Sequence, residues 1–368
     1  MERERLYEDA ARHIAKTCLA LKEGEHVLIC GGIHQYDLLS KIALHARKLG
    51  AHPDLSISDD ETSVRMLTEV DEKFILQDPR DHDFYMARLY DAALHIDAMQ
   101  DRSKLAKVPS ELLGKISAKK KPLQELKYEN GRRTIAMAWP TKDRAARAGI
   151  TLDELEEIFW NAVLLDLDEM NALHKKLEKV FEEGRKVRIR SEKGSDIVFD
   201  IGDRKVLIDA GHYDEQSSIR GEIMKNLPCG EVYTTPLEES PEGTAIFDEV
   251  YMQKGDAVKN LRCHFEKGKL VESSADENYQ NFKSLWDAAE GDKDQIAEFA
   301  IGTNPAVLRP IGDPLFDEKV FGSVHLAIGE SRMYGGKSEA SIHWDFVMLE
   351  PSVEIDDKSI LVKGKFVL

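Results

Sequence analysis

The feature that most limits what this chain can fold into is a change of texture near residue 183. Before it, apolar runs of strand length alternate with segments whose apolar residues recur at helical spacing. EHVLICGG, AHPDLSISDD, DAALHIDAM and RRTIAMAWPT read as strands. MERERLYEDAARHIAKTCLALKEG, IHQYDLLSKIALHARKLGA, SVRMLTEVDEKFILQ and SKLAKVPSELLGKISAKKKPLQELKYENG carry helical patterns, with AKKKP expected as a solvated surface turn. Strands joined through helices pair in parallel, because a parallel connection needs a long crossover. TLDELEEIFWNAVLLDLDEMNALHKKLEKVFEEG continues as a long helical stretch broken in the middle, with Thr151 and Glu154 spaced as a capping box. The expectation for residues 1–182 is an α/β N-terminal domain with a parallel sheet.

From KVRIRSEKGSDIVFDIG onward, short alternating runs are separated by Gly, Asp, Asn and Pro turns. KVLIDAGHY, EVYTTP, AIFDEVYM, LRCHFEKGKLV, FGSVHLAIG, ASIHWDFVML and SILVKGKFVL read as strands, interrupted by one helix, ENYQNFKSLWDAAEGD. Residues 183–368 are therefore expected to form a β-rich α+β C-terminal domain. A length of 368 residues fits two such domains better than one core.

The chain carries 68 acidic and 51 basic residues, a formal net charge of -17. That sign argues against nucleic acid and anionic membrane surfaces as partners. No apolar run reaches the roughly 18 residues that would span a bilayer, and the N-terminal stretch is too charged for a secretory signal. Four cysteines without CxxC spacing favour a reduced setting, so a cytoplasmic location is expected. Gly31 and Gly32 stand between a strand and a helix and raise a dinucleotide site, but no GxGxxG is present.

The chemistry is carried by polar residues inside apolar strands of the second half. In SEASIHWDFVMLEP, His343 and Asp345 point to one face of a strand, roughly 6.5–7 Å apart along it. That separation suits two ligands of a metal cluster better than one direct hydrogen bond. FGSVHLAIGES places His325 in an apolar strand, QIAEFAIGTNP places Glu298 between Ala297 and Phe299, and LPCGEVYTTP places Glu231 after a glycine. Taken singly, a strand histidine is more often a satisfied core residue, and either glutamate could be a solvated strand end. Together they are too costly to bury without a counter-charge. Two divalent cations would supply it, giving +4 against three carboxylates, a balance that activates a bound water. Mixed nitrogen and oxygen ligation suits zinc, cobalt or manganese.

The segments GEVYTTPLEESPEGTAIFD, AEFAIGTNP, DEKVFGSVHLAIGES and GGKSEASIHWDFVM resemble the successive signatures of the M29 family of metalloaminopeptidases, specifically over about residues 222–350. The resemblance implies an α/β N-terminal domain, a C-terminal catalytic domain and a homodimer. It implies metal ligands at Glu231, Glu298, His325, His343 and Asp345, with Glu298 bridging two divalent ions. The implied reaction removes the N-terminal residue from peptides with a free N-terminus through a water activated by both metals. Glu231 is the preferred carboxylate for returning the proton to the leaving amine. A family tyrosine follows the first ligand histidine; here the candidate is Tyr334, nine residues after His325, with oxyanion stabilisation as its implied role.

A rival reading takes His325, His343 and Asp345 alone as the two-His-one-carboxylate set of a mononuclear non-haem iron enzyme. Ring-cleaving dihydroxypyridine dioxygenases are similar to this peptidase family. Glu231 and Glu298 weigh against it, because one iron has no use for two further carboxylates. A third reading is a non-enzymatic binding protein that kept the peptidase fold.

Overall fold

A computed structural model of the chain describes residues 2–252 and 257–368. It divides into two compact units, Met1–Leu164 with Gly211–Leu227, and Leu165–Ala210 with Pro228–Leu368. These units differ in two respects from the single boundary expected between 182 and 183. The helix Leu167–Glu183 belongs to the second unit, because its Leu177 and Phe181 are buried in that unit's core, Phe181 stacked on Phe299 at 5.2 Å. The segment Gly211–Leu227 returns to the first unit. The change of sequence texture marks where that helix ends, which is not where the packing changes partner.

The first unit is built on a five-stranded parallel sheet in the order His52–Ser58, His26–Gly32, Ala92–Ile96, Arg133–Met137, Met224–Leu227. Four of these strands fall in segments that the sequence reads as strands. The fifth was not, since it is four residues long and carries Lys225, which is buried only because Glu222 pairs with it at 2.5 Å. The helix Tyr36–Lys48 buries Leu38, Leu39, Ile42 and Ala46, the helical stripe that its sequence spacing predicts. The stretch after residue 150 does break, into Leu152–Val163 and Leu167–Glu183. The Thr151 hydroxyl accepts the Glu154 N–H at 3.2 Å, and the Glu154 carboxylate accepts the Thr151 N–H at 2.8 Å. AKKKP is not a turn: residues 118–122 lie inside the helix Ser110–Glu129. The run is largely exposed, so the carbonyl that Pro122 deprives of a donor can bond water.

The two glycines after the first strand serve internal packing. A Cβ on Gly31 would stand 2.6 Å from Gln35 Oε1, and one on Gly32 2.8 Å from the Ala98 carbonyl oxygen. Gln35 is buried there, accepting the Gly32 N–H at 2.8 Å and donating to the Asp97 carbonyl at 2.7 Å. The Asp97 carboxylate in turn accepts from Arg144 at 2.7 Å and Arg102 at 2.8 Å.

The two sheets of the second unit pair their strands antiparallel. One sheet has eight strands, in the order Lys269–Ser274, Val258–Glu266, Glu242–Val250, Asp196–Asp200, Lys186–Arg190, Ser352–Ile355, Lys358–Val362, Lys365–Phe366. The other has five, in the order His343–Met348, Val324–Gly329, Ile296–Gly302, Glu231–Thr234, Leu207–Asp209. Their inner faces share one core, in which Phe199 meets Phe299 and Phe247 meets Phe346 with ring centroids 5.3 Å apart in each pair. LRCHFEKGKLV and SILVKGKFVL, each read as one strand, are hairpin pieces that turn at Lys267–Gly268 and Lys363–Gly364. Besides the expected helix, now Tyr279–Ala288, the short helices Glu215–Arg220 and Pro314–Asp317 occur in this half of the sequence. Among the described residues, no helix is long and apolar enough to cross a membrane.

Burial alone would raise the Asp97 pKa, but the guanidinium groups of Arg144 and Arg102 outweigh it and hold the carboxyl below its ordinary value. The ion pair therefore contributes stability above the unfolded carboxyl pKa, about 3.9, and loses it as the pH falls through the lower folded value. Asp97→Asn is expected to cost about 3 kcal/mol near neutral pH by leaving Arg144 buried without its counter-charge. Urea unfolding at a series of pH values should show the gap from wild type closing below about pH 4.

Candidate metal centre

Side chains alternate across the five-stranded sheet, so the residues that fill the core dictate what faces the other way. Val232, Phe299, Ile301, Leu326, Ile328, Phe346 and Met348 point into the core, and the half-buried Trp344 packs against it. Their neighbours in sequence must point out on the opposite face, and these are Glu231, Glu298, His325, His343 and Asp345. Register brings them level. Glu231 is opposite Gly302 and Asp209, Ala300 is opposite His325, Ala327 is opposite Asp345, and Gly329 is opposite His343.

All five groups converge. His325 Nε2 lies 3.4 Å from Glu231 Oε2 and 3.3 Å from Glu298 Oε1. His343 Nε2 lies 3.4 Å from Glu298 Oε2 and 3.4 Å from Asp345 Oδ1. Glu298 thus presents one oxygen to each of two clusters, Glu231–Glu298–His325 and Glu298–His343–Asp345, and the donor atoms within each cluster lie within 4.8 Å of one another. His343 and Asp345 stand two apart in sequence, yet their side chains lean together more closely than the strand repeat suggests. Glu231 and Glu298, which could have been solvated strand ends, are 5% and 4% exposed.

The spacing fits cations better than hydrogen bonds. A charge-assisted N–H···O contact closes to about 2.7–2.9 Å. Two donors on one tetrahedral ion with bonds of about 2.0–2.2 Å stand roughly 3.3–3.6 Å apart. Glu231 Oε2 is buried and has no hydrogen-bond partner among the described residues, although an acceptor at such a position is costly to leave unpaired. His343 Nδ1 donates to the Glu330 carbonyl at 2.8 Å, so that in the neutral ring Nε2 is the atom that would carry the ligating lone pair toward the carboxylates.

Electrostatics show how the acids are balanced by the chain itself. Burial would lower the pKa of His325, but the hydrogen bond with Glu298 and the charges of Glu231 and Glu298 lift it to about 9. His343 is likewise raised well above its ordinary value against its burial by Tyr334, Asp345 and Glu298. Burial opposes the ionisation of Asp345 and Glu298, but the two imidazoles hold both carboxyls below their usual range. Glu231 is pushed up to about 7, by burial first and then by Asp209 and Glu298, against the opposing pull of Lys319 and His325. Protons on two imidazoles therefore do part of what dications would do, and ligation requires the neutral imidazole.

Three groups at this site were missed in the sequence. Lys319 is fully buried, and its Nζ donates to Glu231 Oε1 at 2.6 Å and Glu318 Oε2 at 3.0 Å and lies 3.7 Å from Asp209 Oδ2. Asp209 was findable by the rule that found the others, being an acid in the apolar run VLIDAG. Lys319 and Glu318 come from an irregular segment before the His325 strand, where no periodicity announces burial. Tyr334, the sequence candidate, lies beside the cluster. Its ring centroid is 5.1 Å from that of His343 and 5.7 Å from that of Tyr233.

Gly230 sets the entry of Glu231 into its strand. It has φ +121°, and a Cβ there would meet Asn304 N at 2.8 Å and Asn304 Cβ at 2.9 Å. Asn304 is itself held by donating to the Cys229 carbonyl at 2.7 Å. Gly230→Ala is expected to cost about 1–3 kcal/mol in thermal unfolding. It should also lower the metal content of the purified protein, measured by elemental analysis, because Glu231 follows directly.

Comparison with known proteins bears on the fold and the family. Aminopeptidase AmpS of Bacillus subtilis (strain 168) is 26% identical over 212 residues, covering 52% of this chain and 50% of that protein, so the match spans about half the length of this relative. The solved structure of wild-type AmpT from Thermus thermophilus matches over 99% of both chains with a TM-score of 0.81 at 20% identity. That of 2,5-dihydroxypyridine dioxygenase from Pseudomonas putida KT2440 covers 99% of this chain and 97% of that one, with a TM-score of 0.61 at 16% identity. At such identities the two structures speak for a shared fold. The family described as thermophilic metalloprotease (M29) matches residues 3–362, and the chain belongs to that family.

Proposed function

We propose that this protein is a metal-dependent aminopeptidase that removes the N-terminal residue from peptides with a free N-terminus. The observation that carries the reading is Glu298, with one carboxylate oxygen facing His325 and the other facing His343. In this reading Glu231, Glu298 and His325 hold one divalent ion, and Glu298, His343 and Asp345 hold a second, each being zinc, cobalt or manganese. Bound there, such ions supply Lewis acidity and bring the pKa of a water toward neutrality. The chain's own groups do the rest. Glu298 ties the two positions together, and the Glu330 carbonyl keeps the His343 ring in its ligating orientation. Tyr334 is proposed to donate its phenolic O–H to the substrate carbonyl oxygen as that oxygen gains negative charge. Glu231 remains the proposed carboxylate for returning a proton to the leaving amine, a role that requires its Oε1 to give up the Lys319 ammonium, because Oε2 would be on the ion.

The mononuclear iron alternative is disfavoured by the same geometry. Glu231 and Glu298 stand within the cluster, within 3.4 Å of His325, where a two-His-one-carboxylate iron has no place for them. A homodimer belongs to the proposal through the family, a cytoplasmic location through the four cysteines without CxxC spacing, and the exclusion of nucleic acid through the charge of -17.

Glu298→Ala removes the group that, among the described residues, both clusters share. It is expected to leave less than one bound ion per chain and to reduce hydrolysis of aminoacyl-arylamides by about a thousandfold or more. Chelator should abolish turnover of the wild type, and zinc, cobalt or manganese should restore it. Near-normal metal content and hydrolysis in the variant would sink the assignment, and one iron per chain with oxygen uptake would favour the alternative.

A further inference from the structure

Lys319 is the fixed positive charge of the centre. Its ammonium has no access to solvent and is surrounded by Glu231, Glu318 and Asp209. The segment that carries it is held firmly. Asp317 accepts the backbone N–H groups of Ile311 at 2.6 Å and Gly312 at 3.0 Å, and the Lys319 carbonyl accepts the Asn304 N–H at 3.2 Å. Asn304 is also the residue that packs on Gly230, next to Glu231, so ammonium and carboxylate are anchored to the same turn. Glu231 is consequently divided. Oε1 takes the ammonium at 2.6 Å, while Oε2 faces His325 at 3.4 Å with no hydrogen bond of its own. Glu298, by contrast, turns both oxygens to imidazoles, and Asp345 Oδ1 faces His343.

We propose that Lys319 is a positioning residue that makes the two cation positions unequal. It occupies one oxygen of Glu231, so that only the other can ligate, and it leaves a positive charge beside the Glu231–Glu298–His325 group. That position is the weaker of the two, and the Glu298–His343–Asp345 position is the stronger. The physical reason is that a like charge in a poorly hydrated interior is screened little, and a dication feels it twice over. What Lys319 provides in return is a centre that keeps its shape before any ion arrives, since three buried carboxylates would otherwise repel one another. The inference rests on the two-cation reading above.

The test uses the full-length chain, stripped of metal and titrated with cobalt and with zinc. Stepwise affinities are read by competition with a chromophoric chelator, and the visible absorption of bound cobalt reports the geometry of each position. Wild type should take up two ions with affinities separated by about tenfold or more. In Lys319→Met, the weaker step should tighten by about tenfold or more while the stronger changes by less than about threefold. The absorption of the second cobalt should change, because both oxygens of Glu231 become available. Lys319→Arg keeps the charge and should keep the affinities unequal. Should Lys319→Met fold only with metal, it is refolded in cobalt and the same spectrum is read. Two ions bound by Lys319→Met with wild-type affinities and spectrum would overturn the proposal, as would equal affinities in Lys319→Arg. A wild type that binds fewer than two ions fails the two-cation reading itself, and this inference with it.

Discussion

The centre depends on the pleat of one strand. In Ile296–Gly302, Phe299 is packed between Phe181 and Phe199, and that packing turns Glu298 to the opposite face. A slip of one residue would put the carboxylate among phenylalanines and the phenyl ring among carboxylates. Apolar burial on one side of the sheet thus fixes the chemistry on the other. The strands of His325 and of His343 obey the same constraint through Leu326 and Phe346. Ligands carried by neighbouring strands of one rigid sheet are held more exactly in register than ligands on loops, which suits a site that must place atoms within fractions of an ångström.

The alternation also explains what could be read in advance. His325, Glu298, His343 and Asp345 were conspicuous because each interrupts an apolar run, and a buried charge demands a partner. Of the parallel strands of the first unit, His26–Gly32 and Ala92–Ile96 were legible because near-continuous apolar runs between helical patterns have few other uses, whereas the edge strand His52–Ser58 showed only the alternation of Leu55 and Ile57. Lys319 and Glu318 were not legible. Their burial comes from the Asp317 carboxylate closing a loop, and no period of two or 3.6 marks such a segment. Met224–Leu227 was hidden by its brevity and by Lys225, whose counter-charge is Glu222 three residues earlier. The compact units depart from the expected limit because a helix that ends one kind of sequence packs with the other, through Leu177 and Phe181.

Charge is arranged in layers around the same sheet face. The inner carboxylates are matched by imidazoles at 3.3–3.4 Å, and the Glu231 edge is matched by an ammonium at 2.6 Å. Imidazoles can give up their protons to make way for a metal, whereas the ammonium, lifted well above its ordinary pKa by Glu231, Glu318 and Asp209 in spite of burial, does not. The centre thus combines exchangeable and permanent counter-charge, and the two kinds sit at different ends of it.

The path of the backbone has a consequence for biosynthesis. The parallel sheet is completed by Met224–Leu227, which the chain reaches only after it has passed through Leu165–Ala210 of the other unit. A nascent chain emerging from the ribosome therefore cannot finish its leading unit and then begin the next. The first four strands must wait, with the flank of Arg133–Met137 uncovered, until residue 227 has been translated. That interval is when the polypeptide is most open to capture by chaperones or to pairing with another nascent copy.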